Sequence, residues 1–207
     1  MTTFLLVRHA TNARVGRSFA GRAPGTHLSA EGLTQAGRLA EALASRDIAA
    51  VYASPLERAG ETAAPIARRL GLAVCALPGL TEIDVGDWTG RAFDELAADE
   101  RWRPFNDFRG GTRPPGGELL LEAQARAVGA LLELRERHGE RTVVVVTHAD
   151  VIRAVLGHFA GVPMDLLQRF EVDPASVTEL ELHDWGPRIV RVNATPGAAE
   201  QGEGTVA

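Results

Sequence analysis

Basic side chains that could together bind an anion occur at three separate places in the sequence. They are Arg8 with His9, Arg58, and His148. An arginine fork can hold two oxygens of a phosphoryl group, so two arginines and two imidazoles could surround all three equatorial oxygens of a transferring phosphate. One imidazole could also attack the phosphorus and form a phosphoramidate that water then hydrolyses. These residue types therefore predict a phosphate site with a histidine nucleophile.

The leaving alkoxide of such a reaction needs a proton, and one Gly-rich segment contains three carboxyl groups that could supply it. The segment covers residues 81–90, and the carboxyl groups belong to Glu82, Asp84 and Asp87. Their spacing alone does not distinguish the proton donor from its two neighbours.

Composition excludes several other mechanisms. All 22 residues in the Lys and Arg total are arginine, which excludes P-loop enzymes, protein kinases and enzymes that form a Schiff base through lysine. Cys75 is the only cysteine, so an internal disulfide, a Cys-x-x-Cys redox pair and a thiolate zinc site are excluded, and a reducing, cytoplasmic setting is favoured. The net charge of −5 argues against broad nucleic-acid binding.

Apolar patterns predict the strands that must position these residues. Residues 4–7 and 143–146 form continuous apolar runs, which are typical of parallel strands covered on both faces. Residues 50–53 predict another strand, and residues 177–183 and 188–193 predict a closing pair. Ligands of such sheets gather at the carboxyl ends of the strands, where the three groups of basic residues would meet.

Helical patterns separate the strands. Ser29 is the predicted N-cap of a helix whose apolar side includes Leu33. A second pattern over residues 56–70 contains Pro65, which predicts a kink or two shorter helices. Two further helical patterns cover residues 120–134 and 151–159. The alternation predicts an α/β fold, a three-layer α/β/α sandwich around a mostly parallel mixed sheet.

Residues 1–193 are predicted to form one catalytic domain, without an internal repeat or a linker. From residue 194 to 207 the composition turns to Gly, Ala, Glu and Thr, which predicts a disordered tail. No stretch approaches the roughly 18 apolar residues of a membrane span, and no cationic region precedes the first apolar run, so we expect neither membrane insertion nor export. The closing strand pair would leave an exposed edge at which a homodimer could form.

Four motifs, in this order, resemble those of the histidine phosphatase superfamily, also called phosphoglycerate mutase-like. Residues 6–10 resemble its R-H-G motif, and residues 54–63 resemble its S-x-x-x-R-A-x-x-T-A motif. Residues 82–90 resemble its E-x-x-x-G-x-W-x-G segment, and residues 146–149 resemble its second-histidine motif. The resemblance extends over about residues 3–193, and the four ordered motifs are specific where Arg-His alone would not be.

The resemblance implies specific roles for five residues. His9 would be the phospho-accepting nucleophile and Glu82 the proton donor, while Arg8, Arg58 and His148 would complete the phosphate pocket. In the second step Glu82 would accept a proton from the attacking water. No metal or other cofactor would be needed, because fixed cationic groups would stabilise the charge that magnesium stabilises in other phosphoryl-transfer enzymes.

Several positions depart from the family's pattern. Ala10 replaces a glycine, which suits only a backbone that does not require positive φ. The family often has an asparagine six places after the nucleophile, where this chain has Val15, and Asn12 stands three places after it. Asn12 is therefore a candidate for phosphate contact, and Gly21 is a candidate for a glycine that contacts the substrate through its backbone.

Other charged and aromatic residues admit two interpretations. Five arginines could attract an anionic substrate across a lid, or could form a solvated surface with the acidic residues among them. They are Arg91, Arg101, Arg103, Arg109 and Arg113. Asp150 is expected to interact with the dipole at the start of its helix rather than to form half of a metal site with His148. Trp88 and Trp102 are expected to pack in the core.

We therefore expect a metal-independent phosphatase that hydrolyses a small phosphorylated metabolite through a phosphohistidine. A phosphomutase is the alternative, but no adjacent arginine pair, with which the family's phosphoglycerate mutases hold the substrate's other end, lies between Gly90 and Glu118. A non-catalytic phospholigand-binding protein is disfavoured because His9 and Glu82 are both present. Sugar phosphates, phosphoglycerate, nucleoside phosphates and phosphorylated cofactor precursors are all open as substrates.

Overall fold

Six strands form one mixed sheet in the computed structural model, which describes residues 1–196. The strands are β1 (Thr2–Arg8), β2 (Ile48–Ala53), β3 (Val74–Ala76), β4 (Thr142–Thr147), β5 (Val177–His183) and β6 (Gly186–Ala194). They lie in the order β3-β2-β4-β1-β5-β6, with parallel pairing from β3 to β1 and antiparallel pairing of β5 with β1 and of β6 with β5. The mostly parallel mixed sheet is thus confirmed.

Helices cover both faces of this sheet. The described residues form α1 (Ala30–Leu43), α2 (Glu57–Leu70), α3 (Phe93–Ala97), α4 (Trp102–Asp107), α5 (Leu120–His138) and α6 (Ala149–Ala160). α1 and α2 pack on one face, against Leu5 and Val7, and α5 and α6 pack on the other, against Phe4 and Leu6. Because successive residues of a strand face opposite sides, β1 is buried on both, and the three-layer sandwich is confirmed.

The valines of β4 show why its sequence does not alternate between apolar and polar residues. Val143 and Val145 pack toward α5 and α6, whereas Val144 and Val146 pack toward α1 and α2. All four side chains are fully buried, so β4 needs apolar residues on both faces.

The first two helices differ in detail from their predictions. The Ser29 side chain accepts a hydrogen bond from the main chain of Gly32 (3.1 Å), as expected for the N-cap of α1. Leu33, however, is 58% exposed, so its placement on the apolar side was wrong. The buried side passes instead through Gly32, where a Cβ would lie 2.0 Å from the carbonyl oxygen of Thr11. In α2, Pro65 lies within one helix that is not divided in two.

A separate aromatic cluster is built from the segment between β3 and α5, which the sequence left without predicted elements. Trp88 is fully buried, contacts the ring of Phe105 edge-on and donates a hydrogen bond from Nε1 to Asp99 (3.1 Å). Trp102 packs edge-on against Trp88 with ring centroids 5.5 Å apart. Both tryptophans therefore pack as expected, and they support the segment that carries Glu82.

The edges of the sheet are formed by β3 and β6. The short β3, which was not predicted, carries the exposed thiol of Cys75. β6 continues to Ala194, one residue beyond the predicted domain boundary, and residues 197–207 of the predicted tail lie outside the described residues. Within residues 1–196, no helix combines the length and the apolar character needed to cross a membrane.

Candidate active site

Adjacent strands bring the predicted basic residues to one edge of the sheet. Arg8 ends β1, His9 follows it, and His148 follows the end of β4. The two strands are in register, with Arg8 opposite Thr147, and the main-chain N–H of His9 donates to the carbonyl of Thr147 (2.8 Å). Arg58 lies in the first turn of α2, just after β2. The imidazole rings of His9 and His148 are 5.2 Å apart.

The His9 side chain is held in the form that a nucleophile needs. Its Nδ1 donates to the carbonyl oxygen of Ala10 (2.8 Å), because a carbonyl can only accept, and this leaves Nε2 with a free lone pair. Burial, together with the positive charges of Arg58 and Arg8, lowers the pKa of His9 to about 3. The imidazole is therefore neutral at neutral pH.

Ala10 fits where the family's pattern has glycine. Its methyl group is buried and its φ is not positive, which meets the condition set by the sequence. Its main-chain N–H donates to the hydroxyl of Thr62 (3.0 Å), and that hydroxyl donates to the carbonyl of Arg58 (2.7 Å). The nucleophile's loop is thus joined to the helix that carries Arg58.

Arg8 and Arg58 both keep buried donors without a partner in the described chain. Arg58 is 1% exposed, donates through Nη2 to the carbonyl of Gly21 (2.9 Å), and leaves Nε and Nη1 unpaired. Arg8 donates through Nη1 to the carbonyl of Val172 (2.6 Å) and leaves Nε unpaired. Burial lowers the pKa of both guanidinium groups from their usual value. Since unpaired buried donors are costly, an anion is the group that would satisfy them.

His148 lies behind Arg58 rather than on the cavity wall. Its Nδ1 accepts from Nη2 of Arg58 (3.2 Å), so Nε2 carries the proton and donates to Oγ of Ser54 (2.8 Å). The side chain is fully buried, and burial with the charge of Arg58 lowers its pKa well below the usual value. In this arrangement His148 is a neutral residue that orients Arg58.

Glu82 is the carboxyl group of its segment that reaches the cavity. Its Oε1 accepts from the main chain of Ile83 (3.0 Å), and its Oε2 lies 3.8 Å from Nδ1 of His148. Burial, reinforced by the negative charge of Asp150, raises the pKa of Glu82 to about 7. Asp84 shapes the loop by accepting from the main chain of Gly86 (3.0 Å), and Asp87 is exposed. Neither aspartate lines the cavity.

Two arginines that the sequence did not single out hold the backbone of the Glu82 segment. The carbonyl oxygen of Glu82 accepts from Nε of Arg22 (2.8 Å) and from Nη2 of Arg126 (3.1 Å). Glu118 joins these arginines, because its Oε1 accepts from each of them at 2.7 Å. The same oxygen accepts from the main chain of Asp84 (2.9 Å). This network fixes the position from which the Glu82 side chain extends.

A cavity of about 170 Å³ collects the predicted side chains at the sheet edge. The predicted residues on its wall are Arg8, His9, Asn12, Gly21, Arg58 and Glu82. Residues on the wall that the sequence did not assign to it include Arg14, Phe19, Phe93, Asp150 and Arg153. Arg14 and Phe19 lie in a loop, where no periodic pattern indicates which way a side chain faces, whereas Phe93 lies in α3 and Asp150 and Arg153 lie in α6.

Asn12 and Gly21 shape the cavity wall through contacts with other residues of the protein. The side-chain oxygen of Asn12 accepts from the main chain of Arg14 (2.9 Å), so it caps a turn. The carbonyl of Gly21 accepts from Arg58, and its φ of +51° together with a would-be Cβ 2.7 Å from Val85 makes a side chain unfavourable there.

Asp150 forms ion pairs in the first turn of α6. Its carboxylate contacts Arg109 (2.7 Å) and Arg153 (3.2 Å), and these charges hold its pKa below the usual value although burial alone would raise it. The predicted dipole interaction is therefore accompanied by stronger, direct partners. Among residues 1–196, no group of three or more His, Cys, Asp or Glu side chains is placed to hold a metal ion.

The arginines of the segment between Arg91 and Arg113 do not line the cavity. Arg101 contacts Asp99 (2.8 Å), as does Arg91 more distantly (3.6 Å). Arg103 pairs with Asp107 (3.3 Å), and Arg113 pairs with Glu122 (2.7 Å). Arg109 is buried, and it stacks on Phe105 with its guanidinium carbon 4.6 Å from the ring centroid. The solvated-surface interpretation therefore fits four of the five better than the lid interpretation.

Neutral imidazole, buried guanidinium groups and a carboxyl group of raised pKa are parts of phosphoryl chemistry, and comparison with known proteins identifies the class. Residues 4–195 match the model of the histidine phosphatase superfamily (branch 1), and the chain belongs to that superfamily. The resemblance found in the four motifs is thereby confirmed. The chain is a phosphatase, since proteins named as phosphatases match it in both sequence and fold.

Three relatives show how far the similarity extends. Phosphoserine phosphatase 1 of Hydrogenobacter thermophilus is 34% identical over 94% of this chain and 93% of its own length. The adenosylcobalamin/alpha-ribazole phosphatase of Escherichia coli is 29% identical over 86% of this chain and 89% of its own. The native structure of a mycobacterial glucosyl-3-phosphoglycerate phosphatase has a TM-score of 0.85 and 27% identity, covering 93% of this chain and 99% of that one.

Proposed function

We propose that this phosphatase hydrolyses a small phosphomonoester metabolite through a phosphohistidine on His9, without a metal ion. The observation that carries the proposal is the free Nε2 of a neutral His9 beside buried, unpaired donors of Arg8 and Arg58. The named substrates of the three relatives are all small phosphorylated molecules, although they differ from one another, and this supports the substrate class.

In the first step, Nε2 of His9 attacks the phosphorus and the ester P–O bond breaks. The phosphoryl oxygens take the unpaired donors of Arg8 and Arg58, which stabilise the charge of the transition state. Glu82 gives its proton to the leaving alkoxide, a role that suits a carboxyl group whose pKa is raised to about 7. The alcohol departs, and the phosphoryl group remains bound to His9.

In the second step, water attacks the phosphohistidine and the P–N bond breaks. Glu82, now a carboxylate, accepts a proton from the water, and inorganic phosphate is released. His9 returns to the neutral form that the hydrogen bond from Nδ1 to Ala10 maintains. His148 contributes by orienting Arg58, because its Nδ1 accepts a hydrogen bond from Nη2 of that arginine.

The proposal is tested by phosphate release in EDTA from p-nitrophenyl phosphate and from a panel of phosphometabolites. Wild-type protein should turn these over and form an acid-labile, base-stable phosphoenzyme. The His9→Ala variant should lose at least about 10³-fold in kcat/KM and form no phosphoenzyme. His158→Ala is the matched control, because His158 is exposed on α6, and it should behave like wild type.

Four results would contradict the proposal. A labelled phosphoenzyme that persists in His9→Ala would exclude His9 as nucleophile, and loss of turnover in EDTA with recovery on adding a divalent metal would exclude metal independence. Tight phosphate binding without turnover would indicate a phospholigand-binding protein. Faster phosphoryl transfer between phosphoglycerates than release to water would favour the mutase.

We also propose a reducing, cytoplasmic location. It is supported by Cys75, whose exposed thiol has no second cysteine in the chain with which to form a disulfide. Fractionation of the cells that produce the protein, with thiol labelling of Cys75, tests this location.

A further inference from the structure

Arg14 is an arginine of the cavity wall that has no carboxylate partner and no place in the phosphate pocket. Arg8 and Arg58 belong to the phosphate pocket, and Arg153 is held by Asp150 at 3.2 Å. For Arg14, no carboxylate of residues 1–196 lies within 4.0 Å, and its hydrogen bond to Asn12 is made by the main chain. A guanidinium group in this situation is free to bind an anion that enters the cavity.

The loop that carries Arg14 is fixed by its backbone. The main chain of Arg14 donates to the Asn12 side chain (2.9 Å). Farther along, Phe19 donates to the carbonyl of Arg91 (2.9 Å) and accepts from the N–H of Gly90 (2.7 Å), which ties the loop to the end of the Glu82 segment. These hydrogen bonds fix the main chain of Arg14 before a ligand binds.

The Arg14 guanidinium extends toward the end of the Glu82 segment. A Cβ built at Gly90 would lie 3.5 Å from Nη1 of Arg14, at ordinary contact distance. Arg14 is also near enough to Arg58 for its charge to contribute, after burial, to the lowered pKa of Arg58. A compact molecule whose phosphate contacts Arg58 can therefore present a second group to Arg14.

We propose that Arg14 binds a carboxylate of the substrate, so that the preferred substrates are small phosphomonoesters that carry a carboxylate. This inference rests on the proposed function, which assigns the phosphate to Arg8 and Arg58. The planar arginine fork matches the two oxygens of a carboxylate, and the cavity of about 170 Å³ can hold a compact anion. Phe19 and Phe93 on the same wall provide apolar contact for the carbon chain between the two anionic groups.

Matched pairs of substrates test the preference in the wild-type protein. Glycerol 3-phosphate differs from 3-phosphoglycerate by a hydroxymethyl group in place of the carboxylate, and phosphoethanolamine differs from phosphoserine by a hydrogen in its place. In at least one pair, kcat/KM should be at least about tenfold higher for the carboxylate, as expected for one charge-assisted contact. A panel without any such preference would overturn the inference.

Substitution of Arg14 assigns the preference to this residue. In Arg14→Gln, kcat/KM for the carboxylate should fall by about tenfold, while kcat/KM for its partner without the carboxylate should stay within about twofold. Arg14→Lys should retain part of the preference, because it keeps the charge but not the fork. Arg17→Gln is the control, since Arg17 is an exposed arginine of the same loop that does not line the cavity.

The outcomes separate this inference from the proposed function. Equal losses for both members of a pair in Arg14→Gln would place Arg14 on the phosphate and overturn the inference while leaving the phosphatase intact. If wild-type protein releases no phosphate from any ester, the proposed function fails instead. The inference is then decided by calorimetric affinities for the same pairs, where equal affinities in wild type and Arg14→Gln would overturn it.

Discussion

The arginines of the pocket and the arginines of the segment from Arg91 to Arg113 have opposite surroundings. Arg58 is buried and Arg8 is partly buried, and both keep buried donors that no group in residues 1–196 satisfies. In the second set, residues such as Arg101 and Arg103 are exposed and each contacts a carboxylate nearby in the sequence. The residue type is the same in both regions, so the presence or absence of a counter-charge distinguishes a binding site from a solvated surface.

The two kinds of surroundings contribute differently to the stability of the fold. Burial of a guanidinium group without its full set of acceptors costs stability, whereas an exposed ion pair contributes about 0–1 kcal/mol. The cost in the pocket is tolerated because it lies beside strands β1 and β4, whose side chains are buried on both faces. A phosphate ester that enters the cavity recovers this cost on binding, which is how an acidic chain can contain a strongly cationic site.

The largest expected effect comes from substituting one arginine of the pocket. One arginine of the segment from Arg91 to Arg113 is substituted as its control. Arg58→Gln should lower kcat/KM by about 10²–10³-fold, because it removes donors aimed at the transferring phosphate, without lowering the free energy of unfolding. Arg101→Gln should leave kcat/KM within about twofold, because Arg101 is an exposed arginine that pairs with Asp99 and does not line the cavity. Steady-state kinetics with urea unfolding measures both quantities. Similar losses of activity in the two variants would show that the counter-charge does not distinguish the two sets of arginines.

The carboxyl groups of the two regions also differ in their surroundings and therefore in their pKa. The pH dependence of the reaction tests this difference. Arg113 donates to Glu122 and, with a main-chain N–H, lowers its pKa to about 2, whereas burial raises the pKa of Glu82 to about 7. Phosphoenzyme formation needs protonated Glu82, so its rate should fall about tenfold per pH unit above about pH 7. Phosphoenzyme hydrolysis needs the carboxylate, so its rate should fall below that pH.

Rapid-quench kinetics separates these two steps. Glu82→Gln should slow both and remove both pH dependences, while Glu122→Gln should leave them in place. The assignment of Glu82 would be wrong if the two steps changed in the same direction with pH in the wild-type protein.

A smaller effect is expected from the network that positions Glu82. Arg22 and Arg126 are intermediate cases, since they pair with Glu118 but also donate to the main-chain carbonyl of Glu82. Glu118→Gln should lower kcat about tenfold with little change in KM, because the proton donor is displaced while the phosphate donors stay in place. The pH dependence of phosphoenzyme formation should shift as well, and a merely structural role would not move it.

Glu133→Gln is the matched control for this network, because Glu133 is an exposed residue of α5. It should leave kcat and the pH profile unchanged. An effect of Glu118→Gln on KM alone would show that Glu118 acts on substrate binding rather than on the position of Glu82.

Strands that are buried on both faces could be predicted from the sequence, whereas very short elements could not. β1 and β4 were predicted because they are covered on both faces, and this requires continuous apolar runs. Leu33 was misplaced because Gly32, with no side chain, takes the buried position against Thr11. β3, α3 and α4 were missed because three to six residues carry too little periodic signal.

The residues of the candidate site also divide into those that the sequence predicted and those that it did not. His9 follows β1, Arg58 lies in the first turn of α2, and Glu82 lies in the segment between β3 and α3. Short motifs identify all three, and the fold brings them to one cavity. Arg14 lies in a loop whose direction depends on hydrogen bonds to residues near Gly90, and nothing local in the sequence encodes those contacts. The roles proposed for these residues stay predictions until the variants above are measured.

The pairing of β1 with β4 determines when the pocket can form during translation. His9 and His148 come from neighbouring strands, yet most of the chain lies between them in sequence. During translation β1 leaves the ribosome long before β4, and the pairing between them must close a very long loop. A nascent chain that stops before β4 therefore has no assembled pocket, and phosphatase activity begins only after β4 has been made and has paired with β1.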